Sequence, residues 1–207
     1  TKPAGETRTW PHNLTREAVN GGEYKHVSAG RSINLVFTRN VIGPMDFTPV
    51  ILSQPDGWLE TTYGHQLSHA VLFESGLQHF PDTPKAYRAS PAKDFLRAVP
   101  AAWDDTKLIA GAPDKLVILA RRKGRDWYVG VATGGKATSR PPKRVKVKVP
   151  LLFLDAGTAY DATIWRDGGT RTEIEVDKRP VTTKDIIELE PLAGGGCVIR
   201  MTPREAR

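Results

Sequence analysis

The sequence predicts an α/β first part followed by an all-β second part, the latter an antiparallel β-sandwich. Three observations predict it. Apolar residues recur at helical spacing between Gly64 and Phe80, at Leu67, Ala70, Val71 and Leu77. From Lys115 onward the texture changes to short apolar runs separated by Gly124, Gly134-Gly135, Gly168-Gly169 and Gly194-Gly-Gly196. Between the two, Gly111-Ala-Pro-Asp114 interrupts both patterns and marks the expected boundary, giving units 1–110 and 111–207.

In chain order, Thr15 can cap a short helix starting at Arg16, and Gly21-Gly22 can stop it after little more than one turn. Glu17 then falls in the first turn and Glu23 just past the end. A glycine break between them lets the chain fold back and aim both carboxylates at one point, as a metal ligand beside an acid requires. The same spacing is met by a dipole-complementing Glu17 and a solvated Glu23. Ser32 to Thr38, mostly apolar, reads as a buried strand ending at Arg39-Asn40 and the turn-prone Gly43-Pro44. Asp46 beyond it reads as a pocket residue or as a turn aspartate bonding its own backbone.

The helix expected from Gly64 to Phe80 carries Glu74 on its apolar face, where an ionised carboxylate is costly unless satisfied. His65 and His69, one turn apart, can meet on one metal, but no companion glutamate completes a zinc pattern, and His65 can equally cap the helix or touch substrate. Pro81-Asp-Thr-Pro84 breaks that helix, Pro91 to Arg97 gives a further helical piece, and Ala98 to Trp103 reads as a poor strand ending at Asp104-Asp105. Seven strands follow: Leu116–Ala120, Trp127–Ala132, Val145–Val149, Ala162–Trp165, Thr172–Val176, Ile186–Leu189 and Cys197–Met201.

Composition narrows the function classes. The 207 residues are 39% hydrophobic and 26% charged, ordinary for a globular chain that buries a core. A formal charge of +7 raises nucleic-acid binding, but the densest basic run, Lys143 to Val149, alternates cations with valine as a half-buried strand does. The expectation is therefore no nucleic-acid partner. No apolar run is long enough to span a bilayer as a helix, so no membrane partner is expected either. The single Cys197 excludes an intramolecular disulfide and a cysteine-rich zinc site. A chain that starts without Met, inside a motif, is expected to be a piece of a longer polypeptide.

Specific motifs then accumulate: Lys2-Pro-Ala-Gly5, Arg8-Thr-Trp-Pro11, Thr15-Arg-Glu-Ala-Val19, Gly22-Glu-Tyr24, and Thr38-Arg-Asn-Val-Ile-Gly-Pro-Met-Asp-Phe-Thr-Pro49. Thr62-Tyr-Gly-His-Gln-Leu67, Phe73-Glu-Ser-Gly-Leu-Gln78 and Val99-Pro-Ala-Ala-Trp-Asp104 follow in order. Together they resemble the C-terminal part of glycoside hydrolase family 97, strongly in the first half and by architecture in the second. The resemblance implies the last elements of a catalytic (β/α)8 barrel followed by the β-sandwich, with active-site groups at the strand ends.

It further implies a calcium-dependent, exo-acting α-glucosidase or α-galactosidase on terminal α-linked sugars, its substrate an oligosaccharide or glycoside. The setting would be periplasmic or extracellular in a bacterium. Glu23 matches the general acid and Glu17 a calcium ligand; Arg39, Asn40, Asp46 and His65 are the expected substrate contacts. The second carboxylate, which decides inversion or retention, would lie upstream in the same polypeptide, so this chain alone is expected to be inactive. The competing expectation is a non-catalytic carbohydrate-binding sandwich stacking sugars on Trp127, Tyr128, Tyr160 or Trp165.

Overall fold

A computed structural model describes residues 9–10, 12–23, 27–53, 59–137 and 143–204. Parts of the motifs quoted above, including Lys2 to Gly5, Arg8, Pro11 and Tyr24, lie outside the described residues.

Every regular element ahead of Asp105 among the described residues is helical, and no barrel strand is seen there. Ser28 accepts a hydrogen bond from the Arg31 amide and starts α1, Ala29–Phe37, which is followed by the one-turn α2, Arg39–Ile42. The strand expected from Ser32 to Thr38 is thus a helix. Its buried positions, Ala29, Ser32 and Ile33, follow a helical face, and the serine cap upstream outweighs the β-branched run.

Thr62 caps α3, Tyr63–Leu72, by accepting from the His65 amide at 3.0 Å. This helix ends eight residues before its expected end. Beyond it Glu74 has a side chain 54% exposed and Leu77 is also exposed, so neither belongs to a core-facing helical stripe. Thr83 caps α4, Pro84–Ala89, and α5, Lys93–Ala98, follows. Ala98 to Trp103, expected as a strand, closes α5 and continues irregularly.

All seven expected strands are present, with an eighth ahead of them. β1 is Asp105–Ala112, β2 Leu116–Lys123, β3 Asp126–Thr133, β4 Val147–Pro150, β5 Tyr160–Asp167, β6 Ile174–Val181, β7 Ile186–Leu189 and β8 Gly196–Pro203. Gly111 to Asp114, the expected domain boundary, lies at the end of β1 and in the turn to β2, so the β-structure begins at Asp105. One sheet has the order β1-β2-β3-β8-β5-β6, antiparallel throughout, and β4 pairs with β7 in a second.

The large sheet is covered on both faces. Ile118, Ala120, Val129, Val131, Cys197, Ile199 and Met201 meet Val147, Val149, Ile187 and Leu189 of the small sheet. The alternate residues, Val117, Leu119, Tyr128, Ala132 and Val198, face α3 and the segments around it. Gly130 in β3 permits the close approach, since a Cβ there would stand 3.0 Å from Leu72 Cγ and 3.1 Å from the Ser68 carbonyl oxygen. Lys146 and Lys148 are exposed and alternate with buried Val147 and Val149, as the alternation predicts for a strand with one wet face.

Candidate active-site edge

Thr15 to Glu23 contains no helix. Ala18 stands at φ 48°, and this loop is held by partners distant in sequence. The Gly76 amide donates to the Leu14 carbonyl at 3.2 Å, the Asp46 amide to Arg16 at 2.9 Å, and the Gly22 amide to the Phe47 carbonyl at 2.5 Å. The loop thereby lies along the irregular segment Gly43 to Leu52. Thr15 does not cap a helix; its hydroxyl oxygen is 2.9 Å from that of Ser75. Gly21 and Gly22 are needed for closeness rather than for stopping a helix, because a Cβ on either would collide with the carbonyl oxygen of Phe47 or Thr48.

Glu23 is exposed at the end of this contact, and the Thr48 hydroxyl donates to its Oε2. Thr48 and Val50 occupy the left-handed region at φ 52° and 72°. For β-branched residues such backbone costs about 1–3 kcal/mol each and persists where surrounding structure imposes it, often at functional sites. Thr48 is the residue that sequence reasoning missed. It stands inside a quoted motif, ahead of Pro49, but nothing in its spacing points to Glu23.

Glu17 is exposed on the same loop, its backbone carbonyl gripped by Arg39. Arg39 itself is 8% exposed. Its Nη2 donates to Arg16, Glu17 and Pro44 carbonyls at 2.8, 3.0 and 3.1 Å, its Nη1 to Gly43 at 2.9 Å and its Nε to Glu17 at 3.3 Å. Burial lowers its pKa from the ordinary arginine value. Asn40 exchanges two bonds with the Glu74 backbone, Nδ2 to the carbonyl at 3.2 Å and Oδ1 from the amide at 3.3 Å. Both residues, expected as substrate contacts, spend their polar groups on backbone.

Asp46 Oδ2 lies 3.2 Å from exposed His79 Nδ1, and Asp46 lines a cavity of about 10 Å³, room for no more than one water. His65 is fully buried: Nε2 is 2.7 Å from Ser32 Oγ, Nδ1 is 3.1 Å from the Gly195 carbonyl oxygen, and burial pulls its pKa down to about 4. His65, expected as a substrate contact, is enclosed within this chain, where its ring tethers α1 and the β8 approach to α3. His69 stacks on Phe73 at 4.4 Å between centroids, and burial, then His65, lower its pKa well below the ordinary histidine value. The structure brings Glu17, Glu23 and Asp46 onto one pair of strapped segments, clamped by Arg39 from α2, and sets His65 apart from them.

Among the described residues no group of three His, Cys, Asp or Glu side chains stands ready for a metal. Glu17 suits calcium as a hard, exposed oxygen donor on a fixed backbone, but only as one member of a larger ligand set. A cleft of about 440 Å³ lined by Leu52, Tyr63, Ser90 and Glu173 involves none of the expected site residues. The rings expected to stack sugars in the competing reading are interior: Trp127, Tyr128, Tyr160 and Trp165 are 2%, 3%, 0% and 5% exposed.

Residues 102–202 match the family model described as glycosyl-hydrolase 97 C-terminal, oligomerisation. A probable retaining alpha-galactosidase of Streptomyces bingchenggensis is 44% identical over 176 residues, covering 82% of this chain and 28% of the relative. A retaining alpha-galactosidase of Bacteroides thetaiotaomicron is 29% identical, covering 97% and 32%. A glycoside hydrolase family 97 enzyme from Pseudoalteromonas sp. strain K8, solved in complex with panose, superposes with a TM-score of 0.88 at 30% identity, over 99% of this chain and 34% of that one. The chain thus spans about a third of the length of these relatives. With sequence and fold in agreement along its length, the chain belongs to glycoside hydrolase family 97, whose C-terminal part it matches.

Proposed function

We propose that this chain forms the acid-bearing edge of the active site, and the adjoining β-domain, of a retaining α-galactosidase acting on terminal α-linked sugars. The carrying observation is the presentation of Glu23: an exposed carboxylate on a loop strapped to Phe47 and Thr48, with Thr48 donating to Oε2. The two alpha-galactosidase relatives favour galactoside over glucoside and retention over inversion. The panose complex of the Pseudoalteromonas enzyme fits an α-linked oligosaccharide as the substrate class.

In this reading Glu23 protonates the leaving glycosidic oxygen. The Thr48 hydroxyl, set between Glu23 Oε2 and the Phe47 carbonyl, holds this carboxyl group against the strap while its exposed side faces outward. Retention also needs a nucleophilic carboxylate on the opposite side of the sugar ring, roughly 5 Å from the acid, and the resemblance implies it upstream. Glu17 would contribute one carboxylate to calcium, which as a bound cation supplies fixed positive charge beside the substrate. The chain on its own is then inactive, and its action outside the cytoplasm belongs to the same proposal.

In the complete enzyme, Glu23→Gln keeps the shape of the side chain and removes the proton. Turnover should fall by about 10²–10⁴-fold on a poor leaving group and much less on an activated aryl galactoside. Glu17→Gln should lose activity on both, with partial recovery in added calcium. Equal losses on both substrates for Glu23→Gln, recovered by calcium, would make Glu23 a metal ligand and sink the assignment.

A further inference from the structure

Arg39 presents a physical puzzle that the proposed chemistry leaves unanswered. Arg39 is 8% exposed as a residue, its guanidinium is part-buried, and its charge is met by four backbone carbonyls, those of Arg16, Glu17, Gly43 and Pro44. Those carbonyls come in two pairs. One pair belongs to the loop that carries Glu17 and runs on through Gly21-Gly22 to Glu23; the other begins the segment that carries Asp46 and Thr48.

The arginine fork suits such a task, since planar, pre-oriented donors can hold several acceptors in one fixed arrangement. Besides this fork the loop is held by side-chain contacts at Thr15, Val19 and Glu23 and by scattered backbone bonds. It contains no helical ladder, its Ala18 stands at φ 48°, and its other backbone anchors among the described residues are single bonds at Leu14, Arg16 and Gly22. The Arg16 anchor is shared: the carbonyl that takes the Asp46 amide also takes Arg39 Nη2.

We infer that Arg39 is the positioning residue of the Glu17–Glu23 loop, fixing it against the Gly43–Thr48 segment so that both carboxylates are presented from one frame. This rests on the proposed roles of Glu17 and Glu23 only for its kinetic consequence. The clamp is a property of the backbone and can be read without catalysis. A short displacement of an acid from its leaving group, on the order of 1 Å, is enough to cost about 10²-fold in rate.

The test has two arms. In the 207-residue chain, amide hydrogen exchange is followed in Arg39→Lys and Arg39→Met. Arg39→Met should speed exchange at Asp46, Gly22 and the amides of residues 13–23 by about tenfold or more, with β3 and β8 unchanged. Arg39→Lys keeps the charge and folds if the neutral variant does not, and should give an intermediate effect because a single ammonium cannot reach both pairs of carbonyls.

In the complete enzyme, Arg39→Met should lower kcat on an unactivated galactoside by about 10²-fold while KM stays near its original value, with a smaller loss on an activated aryl galactoside. Unchanged exchange at Asp46 and Gly22 overturns the inference. So does faster exchange spread evenly through the sheet, with kcat lost equally on all substrates, because that pattern is general destabilisation. If the loop amides alone respond in the first arm while Glu23→Gln shows no leaving-group dependence, the clamp stands and the acid assignment falls.

Discussion

His65 and His69 are buried where water does not reach, and protonating either ring in the folded chain means placing a charge in the interior. The unfolded chain takes up these protons below about pH 6.5, whereas folded His65 waits until about pH 4. Between those values the unfolded state binds more protons, so stability from this group falls as pH falls. At about 1.4 kcal/mol per pH unit the loss is on the order of 3 kcal/mol.

Asp167 opposes it. Burial raises its folded pKa to about 6, against hydrogen bonds from Thr62 and from the Leu192 and Gly196 amides, so it keeps a proton that the unfolded chain has lost. Its contribution is therefore present at acid pH and lost as pH rises from about 4 to 6, by a comparable amount. These two oppose each other, and the lowered pKa of His69 adds a contribution that is lost as pH falls, as do the lowered carboxyls of Asp82 and Asp185. His69→Leu removes a ring whose two nitrogens have no partner among the described residues. Its stability relative to the parent chain, read from urea unfolding, should be more favourable at pH 5 than at pH 7.5. An identical difference at both values would show that His69 does not contribute to the acid dependence.

At the scale of elements, α3 is the piece on which the helical half depends. Gly64 to Leu72 are buried without exception, and Leu67, Ala70 and Val71 share one cluster with Tyr128, Trp165 and Val198 of the sheet. Leu67→Ala should cost about 2–5 kcal/mol, measured by chemical denaturation, because the surrounding residues are pinned by the sheet and cannot collapse into the space. A cost below about 1 kcal/mol would mean that the helix is only loosely seated.

The strands were legible because each carries a short apolar run between turn glycines, and Lys143 to Val149 even shows which side is wet. β1 escaped notice for a local reason: Asp105 to Ala112 is half-exposed, and a register shift between Leu108 and Ala110 breaks its alternation. The apolar run of α1 satisfies both periods, and only the Ser28 cap distinguishes helix from strand there. Of the site, the sequence showed which carboxylates and glycines share a loop. It could not show that Arg39 serves the backbone or that Thr48 reaches Glu23, since both contacts join segments more than twenty residues apart.

At the scale of the whole molecule, the helical part and the β-part share packing across the large sheet. The large sheet has its helical cover on one side and the β4-β7 pair on the other, and β3 is buried from Trp127 through Thr133. Stripping away the helical half would leave Tyr128, Trp165 and Val198 facing water.

Cys197 lies inside this arrangement, fully buried in β8, its thiol pKa raised by burial and by neighbouring Asp167. It is the sole thiol in the chain. A thiol-reactive dye therefore has one place to react, and it can do so only once β8 has parted from a covering layer. The labelling rate becomes a clock for opening events, and the concentration of dye tells which kind is timed. At low dye the rate should track the fraction of chains open at equilibrium; at high dye it should level off at the rate of opening itself. Labelling that is rapid in native buffer and indifferent to added urea would mean that the central strand is exposed without unfolding.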